Sequence, residues 1–97
     1  MWIGWVELDL LLGDVHSLKQ KRSLVRPFVA ELQRRYAVSA AEVGALALHR
    51  RATVGAVLVA ADRGHVVDVL DAVERHAASR PELDLLSARR DLRTSDD

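Results

Sequence analysis

The residues of this chain best suited to chemistry form one run, His16-Ser17-Leu18-Lys19-Gln20-Lys21-Arg22, which follows an alternating apolar segment and a Gly13-Asp14 break. A helix is expected to begin there, and helix N-termini present unpaired amides. With three cations beside them, those amides make a physically sensible anion site, since lysine and arginine suit phosphate. The candidate anion- or nucleic-acid-binding residues are therefore His16, Ser17, Lys19, Lys21, Arg22 and Arg26, with Arg34 and Arg35 able to extend the patch. At about 100° per residue Lys21 and Arg22 fall in the same arc as the apolar Leu18 and Val25. Such charges must serve an anionic ligand, pair with buried acids, or project past the sheet edge, their stems covering apolar surface while their heads reach water.

The other chemical constellations are weaker. Glu7 and Asp9 share one face of a predicted strand, but two carboxylates are a poor basis for a metal site, and none is assigned. Histidines 16, 49, 65 and 76 have no spacing that would join two as ligands on one helix face. Asp14, His16 and Ser17 are too tightly clustered to form a triad, and Gly13 stands alone where a phosphate loop needs several glycines. No catalytic residue and no cofactor is implied, so the chain reads as a non-enzyme.

Which elements position these residues follows from periodicity. Residues 2–12 alternate as a strand with one strongly apolar face, bearing Val6, Leu8, Leu10 and Leu12. Ser17 is a plausible N-cap for a helix to about Tyr36, with Val25, Phe28, Val29 and Leu32 in its stripe and a local distortion expected at Pro27. Val38 to about Leu46 and Thr53 to Ala61 read as a second and a third strand. Asp62 caps a second helix with the stripe Val66, Val69, Leu70, Val73 and Ala77, stopped near Pro81. Leu83 to Leu92 reads as an edge strand with a bulge.

The order βαββαβ, with short connections and right-handed crossovers, predicts an α+β ferredoxin-like sandwich: an antiparallel sheet with two helices on one face. Residues 1–92 would form a single domain and residues 93–97 a disordered tail. The sheet's other face would carry Ile3, Trp5 and Leu11, close to Val57 and Val59. An exposed apolar patch of this kind suggests an interface, most simply with a second copy of the chain. Base stacking there is disfavoured, because the third strand has no aromatic residue.

Composition bounds the remaining choices. A chain of 97 residues without cysteine can have no disulfide or thiolate site, which fits a reducing cytoplasmic setting. No signal peptide or membrane helix is read from the sequence, and no membrane partner is expected. Fourteen basic and fourteen acidic residues cancel, yet Val15 to Tyr36 contains Lys19, Lys21, Arg22, Arg26, Arg34 and Arg35 against Glu31 alone. The chain is polarised along its length.

The first strand followed by His16-Ser17-Leu18-Lys19-Gln20-Lys21-Arg22-Ser23, then Val38-Ser39-Ala40-Ala41-Glu42-Val43 and Asp62-Arg63-Gly64-His65-Val66, resembles the YlxP-like domain-of-unknown-function family of bacteria, which carries an HSLKxKR run. The resemblance implies a ferredoxin-like fold and a bacterial cytoplasmic protein. It also implies a gene commonly neighbouring those for translation initiation and ribosome maturation, and hence an RNA or ribosome partner. Pro27 and Ala45-Leu46-Ala47 depart from the family's usual pattern. A homodimeric interaction module is the second expectation. The third is an acylphosphatase-like hydrolase using the loop Gly13 to Ser17, although that loop lacks the acylphosphatase arginine.

Overall fold

The alternation of residues 2–12 is realised in a computed structural model describing residues 1–96, where β1 spans Trp2–Leu12 with every second residue from Gly4 buried. It is followed by α1 (Leu18–Tyr36), β2 (Ser39–Gly44), β3 (Arg51–Ala60), α2 (Arg63–Ser79) and β4 (Leu83–Thr94). The strands form one antiparallel sheet in the order β2-β3-β1-β4. This is the ferredoxin-like α+β arrangement.

The core lies between one sheet face and the two helices. Val6, Leu8, Leu10 and Leu12 of β1 and Ala52, Val54, Ala56 and Leu58 of β3 meet Val25, Phe28 and Leu32 of α1 and Val66, Leu70, Val73 and Ala77 of α2. Gly4 belongs to the same face. A Cβ there would lie 2.2 Å from Val66 Cγ1 and 3.2 Å from Leu70 Cδ1, so the missing side chain is what lets α2 approach β1.

Pro27 sits inside α1, which is helical throughout Leu18–Tyr36. The proline is exposed, so the Ser23 carbonyl that loses its partner there is near solvent. The helix ends on Ala37 in the left-handed region (φ 53°), a position that ordinarily favours glycine.

The edge strand carries the expected bulge. Its register with β1 shifts between Asp9–Ser87 and Leu10–Leu85, leaving Leu86 as the extra residue. The tail expected from Arg93 onward is shorter than predicted. Arg93 and Thr94 continue β4 opposite Ile3 and Trp2, and the Ser95 N–H donates to the Met1 carbonyl at 2.9 Å. Pairing with the first strand holds residues whose composition reads as loose. Asp97, the last residue of that expected tail, lies outside the described residues.

Candidate functional site

The N-terminus of α1 is capped in part by its own side chains. Ser17, in extended conformation, accepts a hydrogen bond from the Gln20 N–H at 3.1 Å, and Gln20 Oε1 accepts one from the His16 N–H at 2.7 Å. This is close to a reciprocal capping box, with the return bond reaching one residue further back. The His16 ring is engaged too, its Nε2 2.7 Å from Asp14 Oδ1 with both side chains exposed. In the preceding loop the Val15 N–H donates to the Gly13 carbonyl, which also accepts from Arg50 Nε at 2.8 Å. The main-chain amides of Val15, His16 and Gln20 are therefore already donating. Ser17 and His16, expected to hold an anion, take part in the cap of the helix and its loop.

Lys21 departs furthest from expectation. Its side chain is 2% exposed, with Nζ 2.8 Å from Glu42 Oε2 and 2.7 Å from the Ala45 carbonyl. Glu42 pairs with Val54 in the sheet register and so faces the helices, while Ala45 presents its carbonyl from a left-handed backbone (φ 57°). Lys21 thus ties α1 to the end of β2 and is removed from any ligand. Its arc position beside Val25 and the isolated Glu42 in a strand of small residues were the sequence signals for this pairing. Arg22, predicted to share the arc, sits further round the helix and is exposed.

Lys19, Arg22 and Arg26 remain as the exposed cations of the predicted set, lining a shallow groove of about 410 Å³ with Ser23 and Pro27. Positions 19, 22 and 26 are neighbours on a helix surface. Arg34, eight residues beyond Arg26, lies about 80° further round the helix. The flank of Lys19, Arg22 and Arg26 faces away from α2: Phe28 and Glu31 on the opposite side meet His76 of α2, while Gln33 reaches the Ala40 carbonyl of β2. Among the described residues Lys19, Arg22, Arg26 and Arg34 have no acidic partner. Arg35, Arg80, Arg89, Arg90 and Arg93 each have one. The first turn of α1 contains no acid, so Lys19 stands against the helix dipole uncompensated.

The open sheet face separates the three residues expected at an interface. Ile3 and Trp5 lie opposite Val59 and Val57, forming an apolar cluster, and Trp5 is half-buried rather than freely exposed. Leu11 is not part of it. It sits at the other end of β1 beside Arg51 and Asp84, beyond a polar belt. In that belt Glu7 pairs with Arg89, and Asp9 accepts from Thr53 Oγ1 and Ser87 Oγ, each at 2.9 Å. These two bonds, in that order, hold the Asp9 carboxyl below the usual carboxylate range, helped by Arg51 and Arg89. Sequence reasoning missed Ala41, Val43 and Gly55, which join Trp5 and Val57 around a hollow of about 330 Å³; strand pairing alone brings them together.

The fold and these surfaces define a small α+β domain with a basic helix flank on one side and a partly apolar sheet face on the other. The chain belongs to the family described as protein of unknown function (DUF503), whose model matches residues 3–90. It is 28% identical over 82 residues to the uncharacterized protein YlxP of Bacillus subtilis (strain 168), covering 84% of this chain and 89% of that protein. No helix among the described residues is long and apolar enough to cross a membrane.

Proposed function

We propose that this domain is a non-enzymatic cytoplasmic binding protein that docks the outer flank of α1 on the phosphate backbone of RNA, ribosomal RNA being the favoured context. The observation that carries this reading is the run of exposed cations Lys19, Arg22 and Arg26 along one groove of α1, none with an acidic partner among the described residues. Like charges three and four residues apart disfavour a helix, so the flank is arranged at a stability cost that an anionic partner would reverse. At about 1.5 Å per residue the stripe extends for roughly 10 Å, long enough to meet neighbouring phosphates of one strand. The gene neighbourhood implied by the family resemblance supplies the preference for ribosomal RNA.

Three phosphate contacts to a single-stranded segment predict a salt slope near −2, or roughly a 20-fold loss of affinity between 50 and 200 mM salt. The variant Lys19→Glu/Arg22→Glu/Arg26→Glu should abolish binding at moderate ionic strength, measured by fluorescence anisotropy with labelled ribosomal RNA fragments. Lys21 is left in place because it is buried. Unchanged affinity in this variant overturns the reading.

A further inference from the structure

The layer opposite the helices holds a surface that RNA docking does not use. Ile3, Trp5, Val57 and Val59 lie side by side in register, Val57 38% and Val59 60% exposed, with Val43 (52%) beside them. The floor of the neighbouring hollow is bare at Gly55, where an added Cβ would stand 3.3 Å from Val43 Cγ1. Contiguous apolar surface of this kind marks a contact site.

We propose that the occupant is a second copy of this chain, stacked sheet face to sheet face about a two-fold axis. The axis lies in the interface and runs along the strands between β1 and β3. That placement sets Ile3 and Trp5 of each copy over Val59 and Val57 of the other, as a self-complementary contact requires. Three observations select this occupant.

The first is charge. Glu7 is neutralised by Arg89 and Asp91 by Arg93 within one copy, so the face carries no net field that would draw a nucleic acid or a strongly charged protein. The second is the state of the sheet edges. The bulge at Leu86 and the charged residues of β4 blunt one edge, where Asp91 also takes up the Leu92 N–H. On the other edge Gln33 occupies the Ala40 carbonyl, so pairing through the faces is favoured over strand addition.

The third observation is area. Four strands about 4.8 Å apart and roughly ten residues long at 3.3 Å each present on the order of 600 Å². Stable specific interfaces begin near that value per partner.

The test is sedimentation equilibrium of the full chain over a wide concentration range. Wild type should show twice the 10.7 kDa chain mass. Val57→Lys/Val59→Lys, at exposed positions and with an unchanged circular dichroism spectrum, should raise the dimer dissociation constant by at least about 100-fold. Lys19→Glu/Arg22→Glu/Arg26→Glu should remain dimeric, which separates this face from the α1 flank. A wild-type protein that stays at chain mass up to its solubility limit overturns the proposal, as does an unaltered dimer in the Val57/Val59 variant. Dimerisation that appears only with RNA overturns it as well.

Discussion

Replacing Lys21 by methionine tests the assignment of this residue to the interior, because methionine keeps most of the apolar stem and removes the charge. In the structure Nζ meets Glu42 Oε2 at 2.8 Å and the Ala45 carbonyl at 2.7 Å, with the lysine 2% and Glu42 21% exposed. Removing one member of a buried ion pair costs about 3–5 kcal/mol, since the other charge is left without a partner. Partial exposure of Glu42 puts the expected loss at the lower end, about 3 kcal/mol. For a chain of this size a urea m-value of about 1.5 kcal/mol/M converts that loss into a midpoint lowered by about 2 M. Lys21→Met/Glu42→Leu removes both charges and should return to within about 1 kcal/mol of wild type, because apolar replacement of a whole buried pair is close to neutral. RNA affinity, compared at equal folded fraction, should be unchanged in both variants. A loss below about 1 kcal/mol in Lys21→Met, or a double variant no more stable than the single one, refutes the pairing argument. Lost RNA binding in a fully folded Lys21→Met would return this residue to the ligand surface.

Gly4→Ala should destabilise by about 3 kcal/mol in the same urea assay, because its Cβ would lie 2.2 Å from the fully buried Val66; Gly13→Ala, with nothing within 4 Å, should change stability by less than about 0.5 kcal/mol. Ala37→Gly should raise the thermal midpoint by a few degrees by relieving the left-handed backbone at the end of α1. Asp9, held low chiefly by Thr53 and then Ser87, and Glu82, held low by its own backbone N–H and then Arg80, both bind protons more weakly when folded. Their contribution is therefore present above the ordinary carboxylate value near pH 4 and is lost as pH falls through the depressed folded values. Urea midpoints measured downward from pH 5 should fall, and Asp9→Asn should make that fall shallower; a slope unaltered by the substitution counts against the Asp9 bonds.

Much of the fold was legible because it rests on local periodicity. The two-residue alternation of β1, the arc containing Val25, Phe28 and Leu32, and the cap at Ser17 each follow from neighbours a few positions apart, and together they set the order βαββαβ. The bulge in β4 was readable from broken alternation. The continuation of β4 through Thr94 was not, because a polar segment is held there by Trp2 and Ile3 from the opposite end of the chain.

The basic segment divides along the same line. Sequence by itself determined that cations concentrate on α1 and that Lys21 points along the apolar arc. Only tertiary structure decided which of them are available, because that depends on Glu42 of β2 and the adjoining Ala45 being folded against the helix from more than twenty positions away. The same holds for the open face. Alternation placed Ile3, Trp5 and Leu11 on one side of β1, but strand pairing set Ile3 and Trp5 among valines and left Leu11 beyond a belt of bonded carboxylates. A side chain's direction is fixed by backbone periodicity, whereas its partners are fixed by register across the sheet, and register is a property of the assembled fold.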